Sequence, residues 1–246
     1  MLQKPLLTRI PRILHQTNAH AALPAELAEH VRKLQVQNPG WRYEFYDDNA
    51  CVEFIRKNYD PRIQKAYDRI NPRYGAARAD FFRYLLIYRV GGVYLDLKSG
   101  LTKRLDDIVS SHEYLLSHWD NGPDGTHPGW GGHFSNFPQG EFQNWYVAAA
   151  PPHAILRAVI EQVLNNIENY TVERFGVGPE GVFYTTGPVA YTEAIVPLLK
   201  SANYHLERTN YKMGFIFNAL GPQYRKLVYE SRPHYSALDE PVVLPG

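Results

Sequence analysis

The run from Tyr74 to Val90 contains no proline and a single glycine near its start, and it closes on the pair Gly91-Gly92 directly before Val93-Tyr94-Leu95-Asp96-Leu97. No other feature constrains the fold as much. The run predicts a helix in which Phe81, Leu85 and Tyr88 can face a core. One of the two glycines predicts a left-handed cap that stops it. The apolar run that follows predicts a buried strand, with Lys98-Ser99-Gly100 as the loop leaving it.

The upstream segments follow the same alternation. Ile10, Ile13 and Leu14 predict a short buried strand, with Pro11 near its start. From Pro24 to Gln37, Leu27, Val31 and Leu34 recur at helical spacing, and Asn38-Pro39-Gly40 ends that helix. Trp41 to Tyr46 alternates as a strand does. Asp47-Asp48-Asn49 then supplies N-caps for a helix over Cys51–Asn58. Strand, helix, strand, helix predicts an α/β fold around a mainly parallel sheet. In the second half, Ala154–Ile167 predicts an amphipathic helix, Tyr184–Pro188 a turn, and Tyr191–Lys200 a helix interrupted by Pro197. Asn121–Gly140 holds six glycines and three prolines, which predicts a long functional loop. The tail from Arg232 to Gly246 predicts irregular structure.

Composition excludes several classes. With 246 residues, 44% hydrophobic and 21% charged, the chain is an ordinary globular one. Its 26 basic and 25 acidic residues leave no global pull toward nucleic acid. The lone Cys51 allows no intrachain disulfide and no thiolate metal cluster, and its helical context predicts a small core residue. No signal-peptide pattern opens the chain and no run of about 18 apolar residues occurs. The expectation is a cytoplasmic chain or one peripheral at a membrane surface.

The chemistry concentrates around the central helix and strand. Asp80 and Arg83 are three apart and share a helix face; as an exposed pair they would contribute only tenths of a kcal/mol. Asp96 falls near the carboxyl end of the next strand, where open α/β sheets bind ligands. Arg78 adds a second guanidinium.

The stretch Arg78-Ala79-Asp80, Arg83-Tyr84 and Gly91-Gly92-Val93-Tyr94-Leu95-Asp96-Leu97 resembles the glycosyltransferases that carry a DxD motif and a sugar-binding region. That group includes yeast-type initiating α-1,6-mannosyltransferases, bacterial capsule and lipopolysaccharide sugar transferases and, more distantly, the large clostridial glucosylating toxins. Ile10–Thr17 and Asn38–Asp48 resemble the same family, and the likeness is firm over about residues 9 to 108. It is weaker over Asn144–His153 and Thr185–Pro188. The resemblance implies a GT-A-like nucleotide-binding sandwich, a single domain over 1–246. About 1–110 would form the donor-nucleotide half and about 111–246 the acceptor half. It implies a UDP- or GDP-linked sugar donor, a glycan or lipid-linked acceptor, no nucleic acid partner, and retention of anomeric configuration. By carry-over, Ile13 to Thr17 would border the nucleobase, with His15, Gln16 and Thr17 among the donor-binding residues. Asp80 and Arg83 would hold donor-sugar hydroxyls, and Asp96 would lie beside the ribose, diphosphate and any metal. Arg78, Lys98 and Lys103 are cations available to the diphosphate.

The chain departs from the family at Asp96-Leu97-Lys98, where a lysine replaces the second carboxylate. Mg²⁺ or Mn²⁺ held by Asp96 and His234 is one implication. Metal independence, with Lys98 as the cation, is the other, and a non-catalytic nucleotide-sugar or glycan-binding module is the alternative function. Trp119, Asp120, Trp130 and Asn144 are the candidates for the acceptor side, the two indoles as flat faces for a sugar. His118, His127 and His133 have no zinc-like spacing.

Overall fold

The computed structural model describes residues 9–133, 137, 139–224 and 234–246. Strand β1 (Ile13–Thr17) is followed by α1 (Ala25–Gln37), β2 (Arg42–Tyr46), α2 (Asp48–Asn58), α3 (Pro61–Arg69), α4 (Gly75–Val90) and β3 (Gly92–Leu95). Then come β4 (Gly100–Leu101), α5 (Leu105–Val109), β5 (Leu115–His118), β6 (Tyr146–Ala149), α6 (Ala154–Glu168), α7 (Val172–Phe175), α8 (Gly178–Thr185) and α9 (Pro188–Ile195). The chain continues through β7 (His205–Thr209), α10 (Asn210–Met213) and β8 (Phe215–Ile216).

The main sheet has the order β2-β1-β3-β6. β1 runs parallel to both β2 and β3, and β6 is antiparallel to β3. Small two-stranded sheets join β4 to β8 and β5 to β7. The expected α/β class with a mainly parallel sheet is therefore the observed one. The pleat of β3 and β6 divides the core. Tyr94, Val147 and Ala149 face a layer containing Phe81, Leu85, Ile155 and Val159, while Val93, Leu95 and Ala148 face Leu34, Leu105 and Phe215.

Helix α4 lies between the sheet and α6 and is buried around its circumference, with Phe81, Phe82, Tyr84, Leu85, Leu86 and Ile87 all at 0% exposure. Each such side chain contributes about 1.5–3 kcal/mol by leaving water. Tyr88 is only partly buried against the same core. The α4–β3 junction requires both its glycines. Gly91 (φ 73°) closes the helix through its N–H to the Ile87 carbonyl at 2.9 Å. Gly92 (φ 103°) begins β3, and a Cβ there would stand 2.5 Å from the Ile13 carbonyl oxygen.

Some elements differ from expectation. β3 ends at Leu95, and residues 96–99 form a turn in which Ser99 N–H donates to the Asp96 carbonyl at 2.8 Å. Asp47 caps α2 as expected, accepting from Ala50 N–H. Helix α3 has no counterpart in the sequence reading, although Asp60 caps it and Pro61 starts it. The expected turn at Tyr184–Pro188 is narrower, since α8 reaches Thr185 and α9 begins at Pro188. α9 stops at Ile195 and gives way to a 3₁₀ turn over Val196–Leu198, ahead of the proline-interrupted region expected to stay helical to Lys200. Part of the Asn121–Gly140 loop and of the Arg232–Gly246 tail lies outside the described residues. The described part of that loop contains no helix or strand.

Candidate active site

A cavity of about 840 Å³ opens at the carboxyl ends of the parallel strands. Its lining includes Thr17 to His20 after β1, Asp48 after β2 and Asp96 to Lys98 after β3. Helix α4 supplies Arg78, Asp80 and Arg83, and the second half of the chain supplies Asn144, Trp145 and Phe183. This is the crevice position in which open α/β sheets hold ligands.

At the floor, the Arg83 guanidinium is shared between two carboxylates: Nη2 lies 3.2 Å from Asp80 Oδ1 and 3.3 Å from Asp96 Oδ1. Asp80 and Arg83 are 6% and 4% exposed, so they are a buried pair and not the exposed one that helical spacing alone allows. Their hydrogen-bonding capacity is met by distant segments. Arg83 Nη1 donates to the Asn144 carbonyl at 2.5 Å, and its guanidinium carbon sits 4.6 Å from the Tyr94 ring centroid. Asn144 Nδ2 donates to Asp80 Oδ1 at 3.0 Å, and Thr186 Oγ1 donates to Asp80 Oδ2 at 3.2 Å. Burial pushes the Asp80 carboxyl up to about 7; Arg83 pulls it down and Asp96 pushes it further up. One cation thus serves two carboxylates, and Asp80 is the one placed to carry a proton. Burial disfavours the Arg83 charge, but Tyr94, Asp96 and Asp80 together more than reverse this and hold it protonated.

Arg78 stands beside this floor with its guanidinium 4.5 Å from the Tyr67 ring centroid. Its Nε, like Trp145 Nε1, is a buried donor without a protein partner among the described residues. Both residues line the cavity, so a ligand rich in acceptor oxygens suits them. Thr17 lines it too, its hydroxyl 2.8 Å from that of Tyr94.

His15 and Gln16 do not line the cavity, which corrects their assignment to the nucleobase. They sit in a strand paired on both sides and are both fully buried. His15 Nε2 donates to the Gly91 carbonyl at 3.0 Å, and burial lowers its pKa to about 4. Gln16 accepts from the Tyr43 hydroxyl and reaches the Asp96 carbonyl from 3.4 Å, so it supports the site from behind. Lys103 is corrected as well: its ammonium donates to the Lys212 carbonyl, outside the cavity.

On the opposite wall, Trp119 and Trp130 pack edge to face at 5.1 Å between centroids, with Phe217 against both. Asp120 is turned into its own loop, accepting from Thr126 N–H and Oγ1 at 3.0 Å, and does not line the cavity. Asn144 lines it, but its amide is committed to Asp80 and Tyr84. Glu141, which the sequence reading did not single out, is 2% exposed and accepts from His133 Nδ1 at 2.8 Å. Only a glutamate in a glycine-rich loop marks it in the sequence.

A divalent ion bridging phosphates takes oxygen ligands, chiefly carboxylates. Here Asp96 is already paired with Arg83, and Lys98 occupies the place of the second carboxylate. His234 lines the cavity, but its Nδ1 is 2.7 Å from Ser236 Oγ. No group of three or more His, Cys, Asp or Glu side chains suited to an ion occurs among the described residues. This donor set does not fit a resident Mg²⁺ or Mn²⁺.

The fold is a GT-A-like α/β domain with its crevice at the carboxyl ends of the parallel strands. The fold matches the PaToxG glycosyltransferase with a TM-score of 0.56 at 15% identity, covering 80% of this chain and 73% of that one. It also matches the UDP-bound glycosyltransferase domain of the YGT toxin, with a TM-score of 0.52 at 10% identity over 82% of this chain and 80% of that one. Residues 24–115 match the model of the glycosyltransferase sugar-binding region containing the DXD motif. Similar curated proteins include inositol phosphoceramide mannosyltransferase 1 of Schizosaccharomyces pombe, 26% identical over 74% of this chain and 50% of the relative. The initiation-specific α-1,6-mannosyltransferase of the same organism is 25% identical over 77% of this chain and 49% of its own. The chain spans about half the length of these two relatives. No helix among the described residues is long and apolar enough to cross a membrane.

Proposed function

We propose that this chain is a hexosyltransferase that moves a sugar from a UDP- or GDP-linked donor to a glycan or lipid-linked acceptor, with retention of configuration. The observation that carries this reading is the buried Asp80–Arg83–Asp96 cluster on the floor of a large cavity at the carboxyl edge of the sheet. A polyol is gripped well by fixed acceptors and donors, and Arg83 fixes both carboxylates before a ligand arrives. Mannose is the sugar favoured by the relatives' names, and a lipid-linked acceptor would bring the chain to a membrane surface.

In the reaction, the bond between the anomeric carbon and the diphosphate oxygen breaks with its electron pair moving to the diphosphate. The acceptor hydroxyl oxygen bonds to that carbon, and its proton passes to the departing diphosphate. Asp80, Arg83 and Asp96 hold the sugar while positive charge builds on it. Arg78, which lines the same cavity, pairs with the diphosphate. Trp119 and Trp130 offer the acceptor a stacking face, and Asn144 positions Asp80. The first 110 residues serve mainly the donor and the remainder mainly the acceptor.

Lys98 at the second motif position favours one other reading, a module that binds nucleotide-sugars without transferring them. A thermal-shift panel of UDP- and GDP-sugars tests the common premise. A matched donor at 100 times its Kd is expected to raise the melting temperature by about 5–10 °C. The absence of any shift across the panel contradicts both readings. Product formation from donor and acceptor separates the transferase from the binding module.

A further inference from the structure

The turn that presents Lys98 is pinned from several directions. Ser99 N–H donates to the Asp96 carbonyl, Ala219 N–H to the Lys98 carbonyl at 2.9 Å, and the Ser99 hydroxyl to the Phe217 carbonyl at 2.8 Å. From the other side, His30 Nε2 approaches the Ser99 carbonyl to 2.8 Å. The Lys98 ammonium rests 4.1 Å from the Phe217 ring centroid and 5.9 Å from that of Tyr224. All three residues line the cavity together with Asp96. A lysine whose backbone is fixed and whose head is held over aromatic rings meets a ligand with little further loss of rotamer freedom.

Lys98 lines the cavity with Asp96, whose Oδ1 lies 3.3 Å from the Arg83 guanidinium. An ion entering beside Asp96 would meet a carboxylate already paired through Oδ1 with Arg83 and, at the second motif position, a cationic lysine in place of a carboxylate ligand, both unfavourable.

We propose that Lys98 takes the place of the divalent ion at the donor diphosphate, so that this chain binds its nucleotide-sugar without metal. The inference rests on the proposed transfer function. Lysine is an effective phosphate partner as a compact point charge. Here it offsets the negative charge that grows on the leaving diphosphate, and no proton need be transferred from it.

The test is titration calorimetry of the full chain with GDP-mannose and UDP-glucose, each in EDTA and in Mn²⁺, for the unmodified protein, Lys98→Asp and Lys98→Gln. The unmodified protein is expected to bind one donor with the same affinity, within about twofold, in both buffers. Lys98→Gln is expected to bind about 10- to 100-fold more weakly in EDTA, the loss of a charge-assisted contact, and to gain nothing from Mn²⁺. Lys98→Asp, which recreates Asp-x-Asp, is expected to lose binding in EDTA and to regain it with Mn²⁺. If Lys98→Asp fails to fold, Lys98→Gln alone decides, because undiminished affinity in EDTA overturns the proposal. Binding by the unmodified protein in Mn²⁺ only overturns it while leaving the transfer function intact. Binding of neither donor in either buffer overturns the transfer reading for these donors, and this inference with it.

Discussion

Arg83 and Trp130 line the same cavity, yet Arg83 is 4% exposed and Trp130 47%. The floor around Arg83 is made from the fold's central helix and strand, so its polar groups are held by core packing. The wall around Trp130 is a glycine-rich loop whose indole rests on His127 and on the rings of Trp119 and Phe217. The contrast teaches that the polar chemistry of the floor is inseparable from stability, whereas the opposite wall can change its side chains at little cost to the fold. A site divided this way can keep one floor while its opposite face varies.

The most severe way to probe the floor is Arg83→Ala, which leaves Asp80 and Asp96 without their shared cation. It is expected to cost about 3–5 kcal/mol in chemical denaturation. Arg83→Lys keeps a charge but not the planar fork, and is expected to lie between the two. A cost for Arg83→Ala near that of a wall substitution would erase the distinction.

The floor also predicts a pH signature. His15 is held at about 4 against 6.5 unfolded, so its contribution is full above pH 6.5 and is lost as pH falls toward 4. Asp80 is held at about 7 against 3.8, so its contribution is full below pH 3.8 and is lost as pH rises through 7. They amount to about 3 kcal/mol for His15 and about 4 kcal/mol for Asp80 at their limits, and between pH 4 and 6.5 they oppose one another. Asp80→Asn is expected to expose the His15 slope, with stability falling as pH drops from 6.5 to 4. His15→Gln is expected to expose the opposite slope. Urea midpoints across that range check both, and parallel profiles for the two variants would contradict the assignment.

Glycines sharpen the comparison. Gly92→Ala would bring a Cβ within 2.5 Å of the Ile13 carbonyl at φ 103°, whereas Gly129, at φ 75°, has open space around it. The first is expected to cost about 3 kcal/mol or more and the second about 1 kcal/mol, read as denaturation midpoints. At the mild end, Trp130→Ala is expected to change stability by less than about 0.5 kcal/mol. Donor affinity should stay the same while acceptor use falls about tenfold.

How much of this was legible in the sequence follows from where each contact comes from. The α4–β3 junction is local: a proline-free run, two glycines and an apolar strand are adjacent, so the helix, its cap and the position of Asp96 could all be read. The partners of Asp80 are not local, since Asn144 lies 64 residues away and Thr186 lies 106 away. Thr186 lies in a segment that the sequence marks only as a turn with a weaker family likeness. The nucleobase role of His15 and Gln16 comes from family carry-over alone, which does not see that β1 is flanked on both sides and that its polar groups are satisfied within the protein. Helix α3 escaped because it is short and polar, although Asp60-Pro61 marks its start.

The most direct test of the central claim is release of nucleoside diphosphate from a panel of UDP- and GDP-sugars, in the presence of sugar acceptors, by the unmodified protein and by Asp96→Asn. The account predicts turnover of one donor by the unmodified protein and a loss of at least about 100-fold in the variant, while the variant still unfolds in a cooperative thermal transition above the assay temperature. Equal release by both proteins would remove Asp96 from the reaction and contradict the site described here.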